Sequence, residues 1–325
     1  MTLDILVPQY KEDEKQISNL LNSIALQQNI NFNSIGVIIV NDGSDVILSD
    51  EFLNNYPFKI TYIKNEHKGV SATRQRALDE SKANYVMFCD ADDMFFNLCG
   101  LWLILNETVK NFDVLNPIFL EEAYVVQSRS TTFVNKGKDV TYIHGKVFRR
   151  QYLVDNNIRW EEKLTIHEDS YFISLAHACT KNVLEFQTPY YLWKFRGDSV
   201  CRADPLYLLK TYQMFIESND CLIQQLLKRN MYSEAKYFFN ALFYDMYFVM
   251  NKPDWLAPEN QHYVEGIFKV FVEHYKKYIS LTDIDNQLRA MIIQQTRNKY
   301  YAENVFFDAI RFEDWMKKLN SLAQW

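Results

Sequence analysis

The stretch VMFCDADDM, residues 86–94, runs four apolar side chains straight into Asp90, Asp92 and Asp93. With Tyr85 in front it reads as a buried strand, YVMFC, that stops where the carboxylates begin. Three like charges at the rim of a low-dielectric core repel one another and lose hydration, so the cluster is costly unless something neutralises it. A solvated acidic turn is one answer, since Asp is common in turns. A divalent cation is the other, because Mg²⁺ or Mn²⁺ takes oxygen ligands and uses one or two protein carboxylates together with substrate phosphates. On an extended segment the D-x-D spacing points Asp90 and Asp92 one way, across Ala91, and Asp93 the other.

Outward from this strand the first half repeats the same alternation. LDILV (3–7, closed by Pro8), IGVIIV (35–40) and KITYIK (59–64) are strand runs. Between them Ile17, Leu20, Leu21 and Ile24, and later Val70, Arg74, Ala77 and Leu78, recur at helical spacing. Alternating strands and helices predict a layered α/β fold, in which right-handed crossovers put the carboxyl ends of parallel strands on one edge. Ligands bind at that edge. Three polar clusters are expected to meet there: Pro8-Gln9-Tyr10, Asn41-Asp42-Gly43 and Asp90 through Asp93.

From about 112 to 200 the pattern changes to shorter strands, DVLNPIF, AYVVQ, STTFV, DVTYI, NVLEF and YYLWKF, with helices near 146–155 and 169–179. After Pro205 the chain reads as helical, with further segments near 259–279, 285–299 and 303–322. The expected organisation is a mixed Rossmann-like sheet with flanking helices over 1–203, then a helical region over 204–325.

Composition narrows the function classes. The 325 residues are 48% apolar and 15% aromatic, enough for a real core. A net charge of −6, without runs of Lys or Arg, argues against a nucleic-acid partner. Cys89, Cys99, Cys179, Cys201 and Cys221 form no CxxC pair, which fits reduced thiols better than a disulfide framework or zinc. The opening MTLDILVPQYKEDEK has no basic leader, so a cytoplasmic protein is expected. The most apolar window, YFFNALFYDMYFVM at 237–250, holds Asn240 and Asp245 and is shorter than the ~20 residues of a bilayer span, so a buried helix is expected.

IL-VP-QY at the start, VIIVNDGS (37–44), GVSATRQRAL (69–78), FCDADD (88–93), HGKVFRR (144–150) and HEDSYF (167–172) resemble, in that order, the motifs of the family 2 glycosyltransferases of GT-A fold. The resemblance covers roughly residues 1–200. It implies inverting transfer of a sugar from a nucleotide-diphosphate donor to a hydroxyl of a glycan or surface-polymer acceptor, with Mn²⁺ or Mg²⁺. Carried over by position, Pro8 and Tyr10 line the nucleobase pocket and Asp42 accepts from the base, most often uracil. Asp90 and Ala91 lie near the ribose, Asp92 holds the metal with Asp90 beside it, and Arg74 stands next to the nucleotide. Lys11 and Asp45 depart from the family's usual residues, which bears on sugar and base preference.

The resemblance also implies a base in HEDSYF, and local chemistry separates the two acids. Thr165-Ile166-His167-Glu168 reads as a capping box, giving Glu168 a structural task. That leaves Asp169, the residue to which the family's ED motif assigns the base; a helix N-terminus favours its ionised form. His167, Glu168 and Lys146 are placed on the acceptor side, and Arg196 and Ser199 either over the diphosphate or against the acceptor, with Gly197 as a hinge. The helical tail is open to acceptor binding, homo-oligomerisation or peripheral contact at the inner face of a membrane. Two rivals remain: a non-catalytic protein keeping the fold for binding or assembly, and a sugar-phosphate nucleotidyltransferase. Four retained carboxylates disfavour the first, and the absence of Gly from VPQYKED disfavours the second.

Overall fold

The computed structural model describes residues 1–125, 128–137, 141–197, 204, 206–250, 252–281 and 309–323. The chain divides into two compact units, Met1–Ser199 and Val200–Trp325.

In the first unit β1 (Leu3–Gln9), β2 (Ile35–Asn41), β3 (Lys59–Lys64) and β4 (Tyr85–Phe88) pair in parallel, β1 lying between β2 and β4. The sheet continues from β4 through antiparallel β9 (Val147–Arg149) to β6 (Val114–Pro117) and β10 (Val183–Phe186), in the order β10-β6-β9-β4-β1-β2-β3. A second sheet runs β5-β11-β7-β8, from Met94–Phe95, Tyr191–Trp193, Phe119–Val125 and Ser130–Lys136. The mixed α/β architecture expected from the sequence is present.

Pro8 does not close β1. The Leu6 carbonyl accepts from Cys89 N–H on the β4 side, so by alternation Pro8 faces that side too, beyond the last β4 pair at Leu6 and Phe88. The missing N–H costs the ladder nothing there. Residues 147–149 also depart from expectation: they form a strand inside the sheet, and the helix starts only at Arg150. Three residues carry no periodicity, and the slot between β4 and β6 decides their conformation. Of DVTYI, residues 141–143 lie outside any strand and 139–140 outside the described residues.

The helices of this unit are α1 (Glu14–Ala25), α2 (Asp50–Leu53), α3 (Val70–Glu80), α4 (Gly100–Glu107), α5 (Arg150–Asp155) and α6 (Glu168–Ala178). α1 starts from a capping box, Asp13 accepting from Gln16 N–H at 2.8 Å and Gln16 accepting from Asp13 N–H at 3.0 Å. Its Ile17, Leu20, Leu21 and Ile24 are fully buried in a core that includes Leu3, Ile5, Val37, Ile39 and Met87.

The second unit is helical: α7 (Tyr207–Lys228), α8 (Tyr232–Val249), α9 (Pro253–Leu256), α10 (Gln261–Tyr278) and α11 (Ala309–Ala323). Leu209, Tyr212, Ile216, Leu222 and Leu226 of α7 are buried with Phe239 and Phe243 of α8 and Phe271 and Tyr275 of α10. The segment 285–299 lies outside the described residues. Among the described residues no helix is long and apolar enough to cross a membrane.

Candidate active site

The ends of β1 to β4 bring the polar clusters together, as parallel strands must. After β2 the chain turns at Gly43, whose φ of +73° and the His67 backbone nitrogen against which an added Cβ would clash leave no room for another residue. This turn holds Asp42, buried at the head of α3, where its carboxylate accepts from Lys68 N–H at 2.9 Å and from Gly69 N–H at 3.0 Å. The same carboxylate lies 2.9 Å from His67 Nδ1. Tyr10, 41% exposed, stacks on the His67 ring with centroids 4.8 Å apart. His67 was missed by the sequence reading, although it lies just past β3, the one parallel strand whose following residues were not considered.

Asp90 through Asp93 form a turn rather than an extended segment, Asp93 N–H donating to the Asp90 carbonyl at 3.2 Å, so the alternation expected of D-x-D does not apply. Each carboxylate takes its own direction. Asp90 accepts from Arg74 Nη2 at 2.9 Å and Asp92 from Arg196 Nη1 at 3.0 Å. Asp93, fully buried, accepts from the Tyr191 hydroxyl at 2.6 Å and from Lys194 N–H at 2.9 Å, which fastens the turn to β11. Ala91 is buried and Pro8 partly exposed.

Arg74 is the hub. At 4% exposure its Nη1 reaches Glu168 at 2.9 Å and Asp169 at 2.7 Å while Nη2 holds Asp90. Burial opposes its charge, but Asp169, Asp90 and Glu168 outweigh that and keep the guanidinium protonated. One cation cannot satisfy three acids. Burial, against the pull of Arg74 and with the push of Glu168 and Asp90, raises Asp169 from 3.8 to about 7. Asp90 goes the other way: against its burial, Arg74 and then His144 pull it below the ordinary value. Asp92 is raised by burial and by Asp90, with Arg196 opposing.

The capping box expected at 165–168 does not form. His167 precedes α6 in the left-handed region, φ +60°, with no side-chain cap, and Glu168 turns to Arg74 instead. The buried guanidinium is the stronger attraction, because charge-assisted hydrogen bonds outrank a neutral amide. The helix N-terminus likewise does not decide Asp169, whose burial outweighs it. Lys146 is fully buried and donates to the Tyr142 carbonyl at 2.6 Å, closing its own loop. Arg196 also approaches Glu12 at 3.5 Å. Ser199 lies outside the described residues.

The donor chemistry suits a hard divalent cation. Asp90, Asp93 and His144 bring ligating atoms within 4.8 Å of one another, and Asp92 stands next to Asp90 with Arg196 as its neutralising cation. Asp92, 29% exposed, is open to a small ligand, whereas Asp93, at 1%, is committed to Tyr191 and Lys194.

Residues 4–99 match the model of glycosyl transferase family 2. The minor teichoic acid biosynthesis protein GgaB of Bacillus subtilis is 26% identical over 60% of this chain and 23% of its own length. Poly(ribitol-phosphate) beta-N-acetylglucosaminyltransferase TarS of Staphylococcus aureus is 27% identical over 62% of this chain and 37% of its own length. These matches thus span less than two fifths of either relative. A crystal structure of the S. aureus TarS 1-349 fragment with UDP-GlcNAc has a TM-score of 0.64 at 20% identity, covering 95% of this chain and 93% of that one. Residues 4–99 thus carry a glycosyl transferase family 2 segment, and the chain has the GT-A fold.

Proposed function

We propose that this chain transfers a sugar, with inversion, from a UDP-linked donor to a hydroxyl of a surface-polymer acceptor. The observation that carries the reading is the Arg74 bridge, which ties Asp169 at 2.7 Å to Asp90 at 2.9 Å and so sets a carboxylate of raised pKa beside the donor edge. A base with a pKa near the working pH suits proton abstraction. Asp169 takes the acceptor hydroxyl proton as that oxygen bonds to the anomeric carbon. The bond from that carbon to the diphosphate oxygen breaks, and its electron pair leaves with the nucleotide diphosphate. Tyr10 and His67 offer ring faces to the base, and Asp42 offers a carboxylate at the pocket wall. Asp92 and Asp90 would hold Mn²⁺ or Mg²⁺, which supplies positive charge against the departing diphosphate. Arg196, paired with Asp92 at 3.0 Å, would shift its charge to that diphosphate. The named roles of GgaB and TarS support a teichoic-acid-type polymer as acceptor and UDP-GlcNAc as the first donor to test.

A thermal-shift screen of nucleotide sugars with and without Mn²⁺ tests the reading. A UDP-sugar that stabilises the chain only with the cation supports it. Equal binding in chelator removes Asp90 and Asp92 from metal binding, and no response to any nucleotide sugar overturns the donor assignment.

A further inference from the structure

One face of α3 straps down the segment that leads into α6. Ser71 Oγ donates to the Leu164 carbonyl at 2.6 Å, Gln75 Oε1 accepts from Trp160 N–H at 2.9 Å, and Asp79 accepts from Arg159 at 3.0 and 3.2 Å. Residues 71, 75 and 79 are four apart, so they lie in one row along the helix. Trp160, held by the middle strap, is 3% exposed and lies under the hub: the Arg74 guanidinium carbon sits 4.9 Å from its ring centroid. The same indole stacks on Phe172 at 4.3 Å and 8°, and meets Phe88 edge-on at 5.1 Å. Phe172 is one turn beyond Asp169 on α6, and Phe88 ends β4 two residues before Asp90. One ring therefore touches all three elements that supply Asp90, Arg74 and Asp169.

A core role alone does not account for the residue. Trp160 Nε1 is buried without a hydrogen-bond partner among the described residues, as is Arg74 Nε. A phenylalanine would fill space there without orphaning a donor. The indole is the strongest of the aromatic faces for a cation, and its width lets it carry Arg74 and Phe172 together.

We propose that Trp160 is a positioning residue, the floor that fixes the Arg74 guanidinium in the orientation joining Asp90 to Asp169; the inference rests on Asp169 being the base. It acts through Arg74 and touches no reacting atom.

The test compares Trp160→Phe, which keeps a ring, with Trp160→Met, which keeps apolar volume without one. The Arg74 guanidinium ¹⁵N signals, assigned by their loss in Arg74→Lys, should show slow rotation in the parent, faster in Trp160→Phe and fastest in Trp160→Met. Transfer should follow the same order, kcat falling on the order of 10²-fold in Trp160→Met, as expected for a small misplacement of a catalytic group, with donor KM changed far less. In the Arg74→Lys background Trp160→Met should lose little more. Unchanged guanidinium rotation in Trp160→Met, or full additivity with Arg74→Lys, overturns the proposal. If Trp160→Met does not fold, Trp160→Phe decides: intermediate rotation and kcat support it, and parent-like values of both overturn it. A parent protein without transfer from any nucleotide sugar would defeat the reading of Asp169 while the guanidinium signals still judge the positioning role.

Discussion

Among the described residues each unit of this protein has an ionic hub, buried around Arg74 and partly exposed around Asp220, and the two are built with opposite charge balance. In the α/β unit one guanidinium, Arg74, faces Asp90, Glu168 and Asp169. In the helical unit one carboxylate, Asp220, is held by Lys277 at 2.8 Å and by the Tyr278 hydroxyl at 2.7 Å, with buried His274 at 3.7 Å. Burial works against the Asp220 charge, but nearby His274 and the hydrogen bonds from Lys277 and Tyr278 hold its pKa well below the ordinary value. A carboxylate with more donors than it needs is a finished structural joint. A cation outnumbered by acids leaves a site able to take up a proton or another cation, and that is the property a transfer reaction uses.

The sharpest way to break this contrast is at the proposed base, Asp169. Asp169→Asn should lower kcat by ~10²–10⁴-fold, the usual range for a general base, while the donor still binds by calorimetry. Retained turnover would move the base elsewhere. A smaller effect concerns stability. Arg74→Met strands three carboxylates and should cost about 3–5 kcal/mol in chemical denaturation, as for breaking a buried ion pair. Asp220→Asn keeps part of its hydrogen bonding and should cost only about 1–3 kcal/mol. Equal losses would erase the distinction between the hubs.

The smallest effect, and the one with a diagnostic sign, is the pH dependence of stability. Asp169 holds its proton more tightly folded than unfolded, so its contribution is full below its ordinary 3.8 and is lost as pH rises through about 7. Asp220 is the reverse: its contribution is present above 3.8 and is lost as pH falls below it. Melting temperatures from pH 3 to 8 should therefore lose their neutral-side slope in Asp169→Asn and part of their acid-side slope in Asp220→Asn. The same slopes in both variants as in the parent would refute the assignment.

The sequence by itself determined the strand runs, the common edge and the chemical inventory, because these rest on local periodicity and on where parallel strands must end. LDILV, IGVIIV, KITYIK and YVMFC all became neighbouring strands, and the clusters after β1, β2 and β4 share that edge. Tertiary structure alone decided the rest. Val147–Arg149 became a strand through its slot between β4 and β6, and Glu168 left the capping box for a guanidinium 94 residues away in sequence. Trp160 and His67 carry no motif; their importance arises from the partners that folding sets against them, Arg74 and Tyr10. VMFCDADDM showed that a cluster of charge needed a counterpart. Only the fold could assign Arg74 to Asp90, Arg196 to Asp92 and β11 to Asp93, since a pairing energy depends on distance and burial that no linear spacing contains.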